Sequence, residues 1–139
     1  MSTIKTTTIN AYLETDYCVY SNPPFILHVN IASEQLAKLY ELHHADSATF
    51  ISACNPFSQN TSYKINTTRQ AELAGEILRF GLTLFNGIGR HPAGGWPEEP
   101  SFLVLGLPLE TAKQLGRNYN QNAILWCGGD AIPKLILLR

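Results

Sequence analysis

The sequence predicts an α+β fold: one domain, an α/β sandwich whose sheet is mixed and mostly antiparallel, with a ferredoxin-like split β-α-β core. Three observations carry this. The chain has 139 residues, 45% of them hydrophobic and only 15% charged. That is enough for a proper core and well under the roughly 25% charge of an average globular chain, so a folded domain is expected rather than a disordered one. Short apolar runs rich in strand formers alternate with stretches of helical period. The resulting order, β-α-β-α-β-β-α-β-β, contains a β-α-β-β-α-β unit from Ala48 to Cys127, which is the split β-α-β arrangement.

Residues 1–22 are polar and threonine-rich and are expected to pack on the body as an N-terminal segment, with one helical turn carried by Tyr12, Leu13 and Tyr17. Residues 23–139 make the domain. "PPFILHVN" reads as a strand bounded by prolines. "SEQLAKLYELHH" reads as a helix capped by Ser33, with Leu36, Leu39, Tyr40 and His43 on one face. "ATFISAC" is a buried strand ended by Asn55-Pro56. The next helix is expected to begin at Thr67, where Thr67 to Gln70 fits a capping box, and to end at Gly81. "LTLF" and the apolar "SFLVLGL" are strands. "LETAKQLGRNYN" is a helix facing the core through Leu109, Ala112, Leu115, Gly116 and Tyr119, and "AILWCGG" and "PKLILL" close the sheet around a Gly-Gly-Asp turn.

Composition excludes several functional classes. A formal charge of −1 lacks the basic footprint of a duplex nucleic-acid binder. Cys18, Cys54 and Cys127 are odd in number and widely spaced, which fits neither a disulfide framework nor a cysteine zinc site. No metal site or cofactor motif is read: "GIGRHP" holds only part of a dinucleotide fingerprint and runs into a proline. His43 and His44 are adjacent on a helix and cannot chelate together. With no apolar leader and no membrane-length apolar run, the expectation is a soluble, reduced, cytoplasmic protein. Exposed strand edges leave a homodimer open.

"FNGIGRHPAGGWPEEPS", residues 85–101, carries four glycines and three prolines and reads as a long loop over residues 86–100. If the crossovers interleave, this loop, the "NPFSQN" loop, the start of the helix at Thr67 and the segment Asn120–Asn122 all lie at one end of the sheet. Asn55, Ser58, Arg69, His91, Trp96, Glu99, Ser101, Gln121 and Asn122 would meet there. Arg69, in the first turn of its helix, is unfavourable to the helix dipole; it either pairs with Glu98 or Glu99 or binds an anionic group. Asn55 is a loop-bracing amide or a ligand contact, and Gln121 and Asn122 either satisfy helix carbonyls or face a ligand. Trp96 is a plug over the sheet end or an aromatic wall. His91 and Glu99 are the catalytic candidates by type alone, whereas Cys54, in an apolar strand, reads as a core residue.

The run "ISACNPFSQ", an arginine in the next helix, then "WPEEPSFLVLGL" and "LGRNYNQNAILW" resemble a bacterial family known as domain of unknown function 3293, over nearly the whole chain from "AYLETDY" onward. The resemblance picks out Asn55, Pro56 and Ser58, Asn66 and Arg69, Trp96, Glu99 and Ser101, and Gly116, Gln121, Asn122 and Ala123. It implies a small stand-alone bacterial protein and brings no established activity. The sequence thus leads to one expectation and one rival. The first is a site for a small anionic or carbonyl-bearing molecule, held by Arg69 and a helix N-terminus beneath the loop. The rival is a protein–protein interaction module that uses the same loop without chemistry.

Overall fold

A computed structural model describes residues 2–139. Its elements run α1 (Thr6–Glu14), β1 (Asp16–Val19), β2 (Phe25–Leu27), α2 (Glu34–His43), β3 (Ala48–Ile51), a 3-10 turn (Pro56–Ser58), α3 (Tyr63–Arg79), β4 (Leu84–Arg90), β5 (Glu99–Leu105), α4 (Leu109–Asn118), β6 (Ala123–Cys127) and β7 (Pro133–Leu137). The seven strands form one sheet in the order β2-β1-β4-β5-β3-β6-β7, and every neighbouring pair is antiparallel. The α+β class holds. β5 lies between β3 and β4, and β3 between β5 and β6, so the two crossovers through α3 and α4 interleave. No described helix is long and apolar enough to cross a membrane.

Alternation along the strands sorts the core into two layers. On one face, Leu36 and Tyr40 of α2 pack with Val19, Leu27, Phe50, Leu103 and Leu125. On the other, Leu73 and Ile77 of α3 and Ala112 and Leu115 of α4 cover Ile51, Phe102, Val104 and Ile124. Because β3 and β5 contribute to both layers, their residues read as continuous apolar runs, as a doubly covered strand requires. Ser33 caps α2 as its position suggests, its Oγ accepting from Leu36 N–H at 3.1 Å. All three cysteines are buried and free.

Three local expectations are corrected. The N-terminal segment holds a nine-residue helix and a strand, not one turn. Tyr17-Cys18-Val19 is too short to show a period, yet it pairs with β4 on one side and β2 on the other. The long loop is also shorter than expected. β4 runs on to Arg90 and β5 starts at Glu99, leaving residues 91–98 outside the ladder. Glycine propensity is overridden here because β1 and β5 pair with both sides of the glycine-containing stretch. A side chain at Gly87 would meet Cys18 O at 2.7 Å and the Phe50 ring at 2.9 Å, so the strand needs a glycine where composition suggested a loop.

Finally, α3 begins at Tyr63, a turn ahead of the predicted capping box. Ser62 is its cap, accepting from Ile65 N–H at 3.2 Å, while the Thr67 and Thr68 hydroxyls donate to the carbonyls of Tyr63 and Lys64. In "TSYKINTT" several residues can cap. Asn66 is drawn into a loop contact instead, and the polar run is absorbed into the helix.

α4 sits so close to the sheet that a methyl group at Gly116 would lie 2.6 Å from Leu138 Cδ1 and 3.0 Å from Ile124 Cγ2. Gly116→Ala is therefore expected to destabilise by about 1–3 kcal/mol, the usual cost of overpacking. Gly95→Ala, where an added Cβ meets nothing within 4 Å, should stay within about 0.5 kcal/mol of the parent. Urea denaturation of both variants checks the contrast.

Candidate functional site

At the end of the sheet where β3 and β4 finish and β5 and β6 begin, the chain must dispose of many backbone groups that leave the ladder. Arg69 takes two of them. From the second turn of α3 its Nε donates to Ala53 O at 2.7 Å and an Nη donates to Tyr119 O. The second of these is an orphan carbonyl at the C-terminal end of α4. Gln121 works beside it, its Nε2 donating to Tyr119 O and to Cys54 O, each at 3.1 Å. The exit of β3, the middle of α3 and the end of α4 are thereby tied together.

The loop after β3 is held in an unusual conformation. Asn55, Phe57 and Ser58 all have φ between 48° and 59°, and non-glycine residues adopt this left-handed region at a cost of order 1–3 kcal/mol each. Asn66 and Asn55 hold it. Asn55 N–H donates to Asn66 Oδ1 at 2.8 Å, Asn66 Nδ2 donates to Asn55 Oδ1 at 2.9 Å, and Thr61 N–H donates to the same oxygen at 3.0 Å. Phe57 N–H donates to Asn120 O at 2.7 Å, and the Phe57 ring lies 4.2 Å from the Arg139 guanidinium. With both its carbonyl oxygen and its backbone N–H engaged, Asn55 can aim its amide Nδ2 only one way, and it donates to Glu99 Oε2 at 3.2 Å.

Between this loop, α1 and the upper end of the sheet lies a cavity of about 140 Å³. Its apolar wall includes Tyr17, Phe50, Leu125 and Leu135 from the layer that α2 covers. Its polar side carries Asn55, Ser58, Glu99, Ser101, Gln121 and Asn122, with Ser52 from the exit of β3. α1 contributes Ala11 and Tyr12, and the 91–98 loop contributes His91, Trp96 and Pro97. The cover is clipped in place. Tyr12 OH is hydrogen-bonded to Ser58 Oγ, and Asn122 Nδ2 donates to both oxygens at 3.1 Å. His91 Nδ1 accepts from Ala93 N–H at 3.2 Å, which puts its proton on Nε2, facing Glu14 Oε2 at 3.0 Å.

Glu99 is the only carboxylic acid on this wall. Among the described residues no Lys, Arg or His approaches it as an ion-pair partner: Arg90 lies 3.8 Å from Glu98, and Arg69 is held by carbonyls. Burial raises the Glu99 pKa above the ordinary carboxyl value, and hydrogen bonding to Asn55 and Ser52 offsets only part of that. Such a group keeps its proton to a higher pH than an ordinary carboxyl does. Cys54, in contrast, is buried, with its Sγ 3.8 Å from Gln70 Oε1. Burial raises its thiol pKa, the opposite of an activated nucleophile.

The structure thus brings Asn55, Ser58, His91, Trp96, Glu99, Ser101, Gln121 and Asn122 to one cavity. Arg69 does not line it. Its expected partners Glu98 and Glu99 are not paired with it either, because the helix starts earlier and Arg69 points across to α4. The first turn of α3 borders a separate groove instead, with Tyr63, Asn66, Thr67 and Gln70. Both features expected to anchor an anion therefore lie off the cavity. Trp96 is 44% exposed, so it walls the cavity without plugging it. His91 has both ring nitrogens engaged. Asn60, in the "NPFSQN" loop expected at this end, lines it too, whereas Tyr12 and Ser52 were not anticipated. Only the pairing of the Tyr12–Tyr17 segment with the body hinted at the first of them, and Ser52 shows itself only as the residue after β3 that shares the face of Phe50.

A family model described as a protein of unknown function (DUF3293) matches residues 51–124, just over half of the chain, from the last residue of β3 to the start of β6. No curated protein and no solved structure gives a significant match. The chain belongs to the DUF3293 family.

Two substitutions separate bracing from the cavity. Arg69→Lys should destabilise by about 2 kcal/mol, since one ammonium cannot replace a fork that spans two carbonyls; urea unfolding measures it. Glu99→Gln should do the reverse. A carboxyl with a raised folded pKa holds its proton more tightly when folded, so stability falls as pH rises from the ordinary glutamate range through the folded value. Removing the charge should raise Tm by roughly 2–5 °C at pH 8, with the gain shrinking toward pH 4. A pH series of melting curves checks the sign.

Proposed function

We propose that this member of the DUF3293 family binds a small organic molecule in the cavity beneath α1 and the 91–98 loop. One observation carries the reading: a half-buried carboxyl without a counter-ion opens on a cavity with an aromatic and aliphatic wall on one side and convergent amides and hydroxyls on the other. A fold gains nothing from leaving a charge in that position, since a buried unpaired carboxylate is a cost. Convergent polar groups in an apolar concavity are the ordinary form of a ligand site.

The size narrows the class. A cavity of about 140 Å³ is close to the roughly 150 Å³ that holds a benzene-sized guest, and below the roughly 300–1,000 Å³ of sites for drug-sized ligands. Nucleotides and sugar phosphates are therefore poor candidates, and without Arg69 on the wall an anionic group has no cationic anchor. Glu99 is the residue through which a proton would be held or exchanged with the ligand, and Asn55 positions it. The rival reading, a docking surface for a protein, would be favoured by a filled sheet end with Trp96 outward on an apolar patch; here Trp96 borders an open cavity.

Saturation-transfer NMR against a library of compounds of up to about ten heavy atoms tests the proposal. Ala123→Leu serves as a variant in which a wall residue is enlarged into the cavity. Hits on the parent that disappear in a folded Ala123→Leu protein are the expected result. No hits, or hits indifferent to the filling, would sink the reading.

A further inference from the structure

The hydrogen-bonding groups around the cavity are unevenly spent. Three of the four lining amides turn their NH2 toward the protein itself: Asn55 Nδ2 to Glu99, Gln121 Nε2 to the carbonyls of Cys54 and Tyr119, and Asn122 Nδ2 to Tyr12 and Ser58. The hydroxyls follow suit. Ser52 Oγ donates to Pro100 O at 2.8 Å, Ser101 Oγ to Glu99 O at 3.1 Å, and Tyr17 OH to Tyr12 O at 2.6 Å. His91 commits its one proton to Glu14. What remains for a guest is chiefly lone pairs, since an amide or hydroxyl whose hydrogens are used still accepts. The exceptions are one hydroxyl hydrogen left between Tyr12 and Ser58, the second amide hydrogen of Asn55, the Trp96 indole N–H and the Asn60 amide. Added to this acceptor excess is the carboxyl of Glu99, which accepts from Asn55 and has no cation beside it among the described residues.

We propose that the cavity takes a small organic cation: a primary or secondary ammonium group seated on the Glu99 carboxylate, attached to an apolar body of no more than about ten heavy atoms lying against Phe50, Leu125 and Trp96. The inference rests on the cavity being a binding site. The ammonium supplies what the wall lacks, a positive charge and several N–H donors on one atom. The aromatic wall of Trp96 and Tyr12 suits a cation better than an anion, because ring faces are electron-rich. The proton balance is simple. Where burial keeps part of the Glu99 population protonated, the arriving ammonium makes the carboxyl ionise and one proton leaves to solvent. Affinity for the cation therefore falls as pH drops through the Glu99 range, while affinity for a neutral guest does not.

The test uses three probes of one shape and different charge: benzylamine (as its ammonium), benzyl alcohol and benzoate, titrated into the full chain at pH 7.5 and followed by 1H–15N shifts, including the two tryptophan indoles. The expected result is that benzylammonium binds at least tenfold tighter than benzyl alcohol, with benzoate weakest. Glu99→Gln should bring benzylammonium down to the level of the alcohol. A pH titration of the parent gives the same answer without a variant: the ammonium's advantage should shrink as pH falls and the alcohol's binding stay flat. Equal binding of alcohol and ammonium, a preference for benzoate, or a cation preference that survives Glu99→Gln would overturn the charge assignment while keeping the cavity as a site. Silence from all three probes would overturn the site as well.

Discussion

The fork of Arg69 is the constraint on which the cavity end of this protein depends. A β-strand that stops, a loop that follows and a helix that ends each release backbone carbonyls, and these must find donors when water is excluded. Arg69 serves two such carbonyls from a third element, Ala53 O and Tyr119 O, and Gln121 reinforces the second. A lysine could not do so, because only a planar guanidinium presents several N–H vectors in fixed directions. With these three elements locked, the loop from Asn55 to Ser58 can be held in left-handed geometry, and Asn55 can be aimed at Glu99.

Around that brace the protein spends its donors inward. Amides and hydroxyls that could have faced a guest secure the loop, α1 and the end of α4 instead. The wall that results is rigid, because nearly every polar side chain on it is fixed by its own chain. It is also chemically one-sided, rich in acceptors and centred on one carboxyl. Such preorganisation is what a small site requires, since a guest of a few heavy atoms brings little binding energy with which to order its surroundings. The left-handed residues and the buried carboxyl are costs in stability that the rest of the fold offsets.

The sheet explains why the cavity lies where it does. Interleaved crossovers place the exit of β3 beside the entry of β5 and the entry of β6. β1 then extends the sheet beyond β4, bringing α1 over the same end. The His91–Glu14 and Tyr12–Ser58 contacts close the loop and the helix over it. Residues singled out by the family resemblance divide accordingly. Arg69, Asn66 and Gly116 hold the frame, while Glu99, Ser101 and Ala123 face the cavity. Asn55 does both.

Periodicity and composition by themselves determined the α+β class, most of the strands and helices after Phe25, and the convergence of Asn55, Ser58, His91, Trp96, Glu99, Ser101, Gln121 and Asn122 at one end. These follow from local pattern and strand direction, which a sequence carries directly. Tertiary structure decided what local pattern leaves degenerate. Ser62, not Thr67, caps α3, because Asn66 is recruited by the backbone of Asn55. Gly87 and Gly89 are strand residues, because a four-residue β1 with no visible period lies against them. Arg69 braces two backbone carbonyls and does not line the cavity, because its reach is set by where α4 ends, 50 residues away along the chain. The cavity itself depends on α1 standing off the sheet, a matter of packing between distant segments that no single stretch of sequence encodes.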